Sequence, residues 1–226
     1  MRDYDSLIDE AWPAFERERS RGWTFRYAGG VTKRANSVLP LGERGDVEAA
    51  EAFYAARGLP CAFSMGPGVA EELDAELESR AYGLVDPTLI MAGSPQGEPR
   101  HRVRVEDEPW DGWLDTWWSV DGRYADGLEA ARRICTGVKA RYAAVEEDGV
   151  ALAVGRGVPQ GDTVGIYCMA TLPAARRRGL ASSVLRALVR QAEQAYLVTT
   201  ASNPAAQALY RSEGFEVRDR YHYRVK

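Results

Sequence analysis

Arg176-Arg177-Arg178-Gly179-Leu180-Ala181 lies where the sequence pattern changes from strand to helix. The preceding residues 164–173 form an apolar run that is typical of a strand. After Gly179, apolar side chains recur every four positions, as on one face of a helix: Leu180, Val184 and Leu188. Because the first N–H groups of a helix lack partners and its dipole favours negative charge, a glycine loop here forms an anion site. The sequence therefore predicts a phosphate-bearing cofactor between residues 176 and 182.

Length and composition indicate a protein with a sizeable core in a reducing environment. The chain has 226 residues, of which 45% are hydrophobic, and its apolar runs are far shorter than a membrane span. The N-terminal sequence lacks the apolar segment of a signal peptide, and Cys61, Cys135 and Cys168 have no disulfide or metal-ligand spacing. The formal net charge of −4 argues against nucleic acid as a partner. We expect a cytoplasmic monomer or homodimer that binds no metal, membrane or nucleic acid.

A turn-rich segment, residues 92–100, divides the sequence into two expected domains, 1–95 and 101–226. In the first domain the sequence pattern predicts helices over residues 4–19, 46–57 and 69–80, and strands over residues 23–27, 35–39, 60–64 and 88–91. In the second domain it predicts helices over residues 110–118, 126–134, 180–192 and 204–213, and strands over residues 102–106, 140–145, 150–155, 163–170, 195–199 and 215–225. This alternation is typical of a mixed α/β fold.

Two motifs in the second half resemble the signatures of the GNAT acetyltransferases. Arg176-x-x-Gly179-x-Ala181 is similar to the family's Arg/Gln-x-x-Gly-x-Gly/Ala signature. Asn203-Pro-Ala-Ala206-Gln-Ala-Leu209-Tyr210-Arg-Ser-Glu-Gly214-Phe215 resembles Asn-x-x-Ala-x-x-Leu-Tyr-x-x-x-Gly-Phe. An arginine run beside a glycine is by itself more often a solvated charge cluster, but the two motifs together, in this order, are specific. The resemblance implies a GNAT acyl-CoA N-acyltransferase fold with a mixed α+β sheet over residues 102–226.

The resemblance also implies acetyl-CoA as the cofactor. Gly179 has no Cβ to obstruct a pyrophosphate. The strand edge at Met169 and Thr171 is expected to pair with the pantetheine arm, where this strand splays from its neighbour. The main-chain N–H of Ala170 is the candidate donor to the oxyanion of the tetrahedral intermediate. The pyrophosphate is expected to lie against Arg176, Arg177, Arg178, Gly179, Leu180, Ala181 and Ser182.

Tyr210 is the candidate catalytic residue. A phenol with a pKa of about 10 can return a proton to the thiolate that leaves when an amine attacks a thioester. The resemblance implies this role, and the alternative is that Tyr210 only packs its helix against the sheet. Asn203 has two compatible interpretations: it can cap the helix that starts at Pro204, and it can contact the coenzyme arm.

The sequence does not identify a general base. Many GNAT relatives carry a glutamate early in the strand before the arginine motif, and Gly165 stands at that position. Tyr167 and Cys168 lie on the same strand but on alternate faces, and a chain of water molecules is a further option. The remaining candidates lie in predicted turns, in the linker or on the last strand, where solvation or packing is expected: Glu146, Glu147, Asp162, His101 and His222.

A group of tryptophans shares one helical face just after the linker. Core packing is the expectation for most of them, although one or two could wall an acceptor pocket: Trp110, Trp113, Trp117 and Trp118.

The first half contains no comparable anion loop. The corresponding turn, residues 40–46, carries Glu43 and Asp46, which would repel phosphate. Ala52-Phe-Tyr54-x-x-x-Gly58-Leu59 echoes the second motif, and residues 22–42 look like the opening of tandem acetyltransferases. We expect a degenerate GNAT-like copy that binds no coenzyme and covers the acceptor side, and an unrelated α/β extension is the alternative.

Together these features predict an N-acetyltransferase that moves acetyl from acetyl-CoA to an amine of a small molecule or peptide, by direct attack in a ternary complex. Transfer of a longer acyl group, or to a hydroxyl, is a second possibility. A non-catalytic acyl-CoA-binding sensor or partner protein is the alternative from a different class.

Overall fold

A computed structural model describes residues 3–122, 124, 126–190 and 192–226, and the chain forms two compact units. Unit 1 comprises Met1–Leu89, Thr200–Ser202 and Asp219–Lys226. Unit 2 comprises Ile90–Thr199 and Asn203–Arg218. The last residues of the chain therefore fold with its first part.

Within unit 1 the sheet strands lie in the order β1-β2-β3-β4-β11. These pairs are antiparallel except β3–β4, which is parallel because helix α2 connects the two strands. The helices are α1 (Tyr4–Ala11), α2 (Val47–Ala55) and α3 (Glu71–Ser79), and the strands are β1 (Glu16–Ser20), β2 (Trp23–Tyr27), β3 (Val38–Leu39), β4 (Ala62–Met65), the beginning of β5 (Gly83–Gly93) and the end of β11 (Glu216–Val225).

The helix predicted over residues 4–19 is wrong beyond Ala11. Pro13 follows two residues later and disfavours continuation of the helix. Glu16–Ser20 instead pairs residue for residue with Trp23–Tyr27 across a turn in which Arg21 has a φ of 55°. The first four of the five residues of β1 are charged and exposed, so the segment has no apolar periodicity that would distinguish an edge strand from a helix.

The start of α2 is satisfied by the chain itself. The Asp46 carboxylate accepts hydrogen bonds from the N–H groups of Glu48 at 2.9 Å and Ala49 at 3.2 Å. Helix α2, which connects the parallel strands β3 and β4, therefore has the negatively charged carboxylate of Asp46 at its N-terminus.

Within unit 2 the sheet strands lie in the order β5-β10-β9-β8-β7-β6. The pairs from β6 to β9 are antiparallel and the β9–β10 pair is parallel, with α6 as the crossover. The helices are α4 (Asp111–Asp121), α5 (Leu128–Thr136), α6 (Leu180–Val189) and α7 (Pro204–Ser212), and the further strands are β6 (Arg104–Glu106), β7 (Arg141–Glu147), β8 (Val150–Gln160), β9 (Thr163–Thr171) and β10 (Gln194–Thr200). The predicted mixed α/β class is confirmed.

Local sequence explains the two features that position the site in unit 2. Asp148 and Gly149, with φ values of 50° and 80°, form the tight turn between β7 and β8 that the sequence predicted. The apolar stripe of α6 is buried as its spacing predicted: Leu180, Val184 and Leu188. This stripe presses α6 onto β8 and β9, which fixes where the helix begins.

Among the described residues, no helix combines the length and apolarity that crossing a membrane requires. The same residues contain no cluster of three His, Cys, Asp or Glu side chains arranged to hold a metal ion.

Candidate active site

The loop between β9 and α6 has the backbone of an anion-binding turn. Arg177 and Gly179 have φ values of 65° and 79°, and Gly179 is followed directly by the right-handed helix of α6. A left-handed residue ahead of a helical one turns successive N–H groups toward a common point. Glycine suits this conformation because it has no Cβ.

The N–H groups of this loop are open. Within the part of the chain that the structure describes, no protein acceptor is hydrogen-bonded to the main-chain N–H groups of Arg177 through Ser182. On either side the pattern resumes, because the N–H of Arg176 donates to the carbonyl of Pro173 and that of Ser183 to Gly179. A run of free N–H groups at the positive end of a helix dipole is suited to a phosphate or pyrophosphate.

The arginine side chains of the loop have different surroundings. Arg178 forms an ion pair with Glu147 at the end of β7, so its charge is partly compensated. Arg176 donates through Nε to the Thr171 carbonyl at 3.3 Å. Among the described residues, neither Arg176 nor Arg177 pairs with a carboxylate, and both are exposed. These two side chains can face a negatively charged ligand without first breaking an ion pair.

Residues 100 and 101 brace the loop, which the sequence did not indicate. The main-chain N–H groups of Arg100 and His101 both donate to Ser183 Oγ at 3.2 Å, and Ser183 Oγ donates to the Gly179 carbonyl at 3.3 Å. His101 Nε2 lies 3.0 Å from the Arg178 carbonyl oxygen and must donate to it, because a carbonyl only accepts. In a trans peptide the C=O and N–H point in opposite directions, so this bond fixes the Gly179 N–H facing away from His101. Solvation or packing in the linker was the expectation for His101, and the structure instead shows it hydrogen-bonded to the loop.

Strands β9 and β10 separate beyond the first half of β9. Their parallel pairing runs from Thr163 opposite Gln194 to Ile166 opposite Leu197 and ends there. On its other edge β9 continues, with Ala170 opposite Val154. The stretch of β9 that carries Met169, Ala170 and Thr171 therefore has no ladder toward β10 among the described residues, and an extended chain with amide groups could pair with it.

The separation coincides with a bulge in β9. Pairing with β8 shifts between Val154 and Arg156, and Cys168 has a φ of 54°, which is uncommon for a residue with a Cβ. Gly155 makes room opposite, because a Cβ there would lie 2.5 Å from the Met169 sulfur. The bulge thus redirects the residues that the sequence assigned to the cofactor.

Asn203 caps α7. Its Oδ1 accepts from the N–H of Ala206 at 3.1 Å, and Pro204 occupies the first helical position. The capping interpretation is therefore confirmed, and the amide nitrogen of the exposed side chain is not needed for the cap.

Tyr210 lies on α7 and is 7% exposed. Its ring packs 6.0 Å from the ring of Phe215, between centroids. No described residue is hydrogen-bonded to its hydroxyl, and burial raises its pKa to about 12. Packing against Phe215 therefore accounts for the buried ring of Tyr210. No hydrogen bond with a described residue accounts for its hydroxyl group.

An ion pair fastens α7 to α6. Arg186 Nε lies 2.8 Å from Glu213 Oε2 and Arg186 Nη2 lies 3.3 Å from Glu213 Oε1. The Glu213 side chain is 5% exposed and that of Arg186 is 22% exposed. A pocket of about 240 Å³ lies beside this pair and is lined by Arg100, Gly179, Ser182, Ser183, Arg186, Ser212 and Glu213.

Replacing Glu213 by Gln is expected to lower the free energy of unfolding by about 1–3 kcal/mol, because Arg186 loses its charge partner in a largely buried position. Urea unfolding measures the change. Glu98→Gln is the matched control: its pair with Arg190 joins side chains that are 72% and 68% exposed, and a loss below about 0.5 kcal/mol is expected. Equal losses in the two variants would contradict the structural role of the Arg186–Glu213 pair.

Two tyrosines fill the space around Gly165, the position at which the resemblance implies a glutamate. A Cβ on Gly165 would lie 2.6 Å from the Tyr196 hydroxyl oxygen and 2.8 Å from Cε2 of Tyr167. The hydroxyls of Tyr167 and Tyr196 are 2.9 Å apart, and Tyr196 donates to Gln160 Oε1 at 2.8 Å. A larger residue at position 165 would therefore displace this buried chain of hydroxyls.

The other candidate bases have structural partners. Glu146 accepts from Trp110 Nε1 at 3.0 Å, and Glu147 is paired with Arg178. The main-chain carbonyl of Asp162 accepts from the N–H of Glu193 at 3.0 Å, a bond that does not involve the Asp162 carboxylate. His222 lies in unit 1, with Nε2 2.8 Å from Asp74 Oδ1.

The two buried tryptophans of α4 belong to the core, whereas Trp110 is the residue before the helix. Trp113 is fully buried, and its Nε1 donates to the carbonyls of Ala143 and Gly155, both at 3.2 Å. Trp117 is also buried. Trp110 is partly exposed and carries the Arg104 guanidinium 4.0 Å above its ring. Core packing, the expectation for most of these side chains, is confirmed for Trp113 and Trp117.

The fold is that of the GNAT acetyltransferases. The chain is similar over its whole length to a GCN5-related N-acetyltransferase from Kribbella flavida, at 14% identity and a TM-score of 0.71, covering 96% of that chain. It is also similar to a tandem GNAT protein from the clavulanic acid biosynthesis pathway, at 11% identity and a TM-score of 0.63, covering 100% of this chain and 88% of that one. These likenesses show the fold, including its occurrence in a tandem protein.

The family is shown by sequence. A family model described as "Probable histone acetyltransferase Rv0428c C-terminal" matches residues 1–224, and the chain belongs to this family. It is 26% identical over 244 residues to the "Uncharacterized N-acetyltransferase YobR" of Bacillus subtilis (strain 168), covering 100% of this chain and 98% of that protein. The predicted membership of the GNAT superfamily is confirmed.

Proposed function

We propose that unit 2 binds acetyl-CoA and transfers its acetyl group to an amine by direct attack in a ternary complex. The observation that carries the proposal is the run of open N–H groups from Arg177 to Ser182 at the start of α6. The main chain of the loop holds the pyrophosphate, and the side chains of Arg176 and Arg177 add positive charge. The separated edge of β9 at Met169–Thr171 pairs with the pantetheine amides, as a further strand would.

The chemistry assigned to the protein is limited to positioning and proton transfer. The Ala170 N–H is the candidate donor to the oxyanion that forms when the amine attacks the thioester carbonyl. Tyr210 donates a proton to the departing thiolate, because its buried hydroxyl keeps its proton and no described residue competes for it. The hydroxyls of Tyr167 and Tyr196 are hydrogen-bonded to each other, and we therefore do not assign either of them as the general base. In this proposal the proton that the attacking amine loses passes to water.

His101→Ala is expected to raise the Kd for acetyl-CoA about three- to tenfold, because the Arg178–Gly179 peptide loses the bond that orients it. Calorimetric titration measures this value. His101→Gln can still donate to the Arg178 carbonyl and is expected to restore part of the affinity. Wild-type affinity in the alanine variant would show that the hydrogen bond from His101 to the Arg178 carbonyl does not orient the loop for binding.

Unit 1 fits a degenerate copy that binds no coenzyme. In both units three successive strands form antiparallel pairs, and a parallel pair with a crossover helix follows: β1-β2-β3 with β4, and β7-β8-β9 with β10. The crossover helices differ at their starts. Asp46 fills the N-terminus of α2 with a carboxylate, whereas Gly179 leaves that of α6 open. A pyrophosphate would have to displace Asp46 and would meet its charge.

The acceptor is a small-molecule or peptide amine in this proposal. The family description names a histone acetyltransferase, which makes lysine-containing peptides the first class to try. Turnover of acetyl-CoA against lysine peptides, polyamines and aromatic amines tests the enzyme against the sensor. Acetyl-CoA binding without turnover of any amine would favour a non-catalytic acyl-CoA-binding protein, and absence of binding at millimolar acetyl-CoA would overturn the proposal.

A further inference from the structure

Two cysteines that are 33 residues apart in sequence meet inside unit 2. The sulfur atoms of Cys135 and Cys168 lie 3.6 Å apart. Cys135 is fully buried in the last turn of α5, and Cys168 is half-buried at the bulge of β9. The spacing of the cysteines in the sequence gave no sign of this pair, and Cys61 lies in unit 1.

We propose that Cys135 and Cys168 form an oxidative modification site, at which a small-molecule disulfide such as glutathione disulfide converts both thiols to an internal disulfide that ties α5 to β9. Bond formation requires the sulfur atoms to approach from 3.6 Å to about 2 Å. The strain that Cys168 already carries, with a φ of 54°, marks the bulge as the place where β9 departs from regular pairing and can adjust.

The exposures of the two cysteines set the order of the steps. The Cys168 thiolate attacks one sulfur of glutathione disulfide, and one glutathione leaves and takes up a proton. Cys135 then loses its proton to solvent and attacks the Cys168 sulfur of the mixed disulfide, which expels the second glutathione. Two protein thiols are oxidised and one small disulfide is reduced to two thiols.

The chemistry around Cys168 makes the reaction slow but specific. Burial and the neighbouring Cys135 raise the pKa of the Cys168 thiol well above its usual range, whereas the charge of Arg156 acts in the opposite direction. A small thiolate fraction slows the attack, so prolonged exposure to oxidant is needed. Once the mixed disulfide has formed, Cys135 is already in contact and completes the bond before an external thiol can.

The modification would act on the strand that the proposed function assigns to coenzyme. Cys168 directly precedes Met169–Thr171, and drawing its sulfur toward α5 moves that edge. This consequence rests on the proposed function: the oxidised chain is expected to bind acetyl-CoA more weakly, and reduction is expected to restore its affinity.

Peptide mapping after equilibration of the full chain in glutathione buffers tests the site. In oxidising buffer we expect two of the three thiols to become unreactive toward iodoacetamide and a peptide pair containing Cys135 and Cys168 to be cross-linked, reversibly with dithiothreitol. Cys61→Ser is expected to keep the cross-link, and Cys135→Ser to lose it and leave Cys168 free or joined to glutathione. Cys135→Ala serves if the serine variant does not fold. Absence of the 135–168 cross-link in fully oxidising buffer would overturn the proposal.

Acetyl-CoA titration of the reduced and oxidised chains separates this inference from the proposed function. A reduced chain that binds no acetyl-CoA refutes the proposed function, while the peptide map still decides the disulfide. A cross-linked chain with unchanged affinity refutes the coupling between the disulfide and the coenzyme.

Discussion

Gly179→Glu is expected to weaken acetyl-CoA binding by about a hundredfold or more. Gly179 has a φ of 79°, which a side chain occupies only at a cost of about 1–2 kcal/mol. The new carboxylate would also lie at the start of α6, where it could accept from the open N–H groups as Asp46 does at α2. Strain and charge therefore both act against the pyrophosphate, and calorimetric titration measures their sum.

A matched control separates the loop from a general effect of the substitution. Gly161 has a φ of 67°, lies in the turn between β8 and β9 of the same unit, and would direct a Cβ into open space. Gly161→Glu adds the same strain and charge and is expected to leave the Kd within about twofold of wild type. Gly179→Ala adds strain without charge and should fall between the two. Wild-type affinity for acetyl-CoA in Gly179→Glu would show that the loop is not part of the cofactor site.

Tyr210→Phe is expected to lower kcat by about 10²- to 10⁴-fold with little change in the KM for acetyl-CoA, because it removes a proton donor and leaves the packing of the ring. The hydroxyl has no hydrogen-bonded partner among the described residues, so the free energy of unfolding should hardly change. Steady-state kinetics with the amine found by the acceptor panel measures kcat. Wild-type kcat in the phenylalanine variant would leave Tyr210 as a packing residue.

Tyr54, the equivalent tyrosine of the echoed motif, provides the opposite control. Its hydroxyl donates to the Arg26 carbonyl at 2.9 Å and accepts from the Arg26 N–H at 3.2 Å, and all these groups are buried. Tyr54→Phe leaves the main chain of Arg26 without this partner and is expected to cost about 1–3 kcal/mol of stability while kcat is retained. Similar losses of kcat in both variants would point to unfolding rather than to acid catalysis.

The pH dependence of turnover follows from the same burial. The pKa of Tyr210 is raised from 10.0 to about 12, so its hydroxyl remains protonated well past neutral pH. We therefore expect deprotonation of this acid to lower kcat only in strongly alkaline solution, well above neutral pH. An alkaline decline of kcat centred near pH 9 would assign proton donation to another group.

The sequence predicted those parts of the fold that local patterns specify. The stripe of α6 and the turn at Asp148-Gly149 follow directly from spacing and turn chemistry. The assignment of Asp219–Lys226 to unit 1 could not be predicted, because His222–Val225 pairs with Ala62–Met65, far away in the sequence. Helix and strand patterns were also indistinguishable in the charged segment Glu16–Ser20, where pairing with β2 decided the outcome.

The sequence predicted the main-chain part of the candidate site, but it did not predict the side chains from other segments that contact it. Glycine and the helix start at Leu180 determine the open N–H groups, and both can be seen in the motif. His101 reaches the loop from 77 residues away, and the room above Gly165 is decided by Tyr196 on another strand. Such partners are selected by tertiary contacts, for which a single sequence carries no signal.

Under the proposed function, the carboxylate of Asp46 would also determine which unit responds to the supply of coenzyme. If the proposed function holds, unit 1 would gain no stability from a coenzyme because α2 carries its own anion, whereas unit 2 would gain stability through the open start of α6. A ligand that binds only the folded state raises resistance to heat and proteases in proportion to its supply. Amide hydrogen exchange at Arg177–Ser182 would then slow as acetyl-CoA rises, while exchange at the start of α2 would stay constant. The cellular lifetime of such a protein would follow the acetyl-CoA pool through one half of the chain alone.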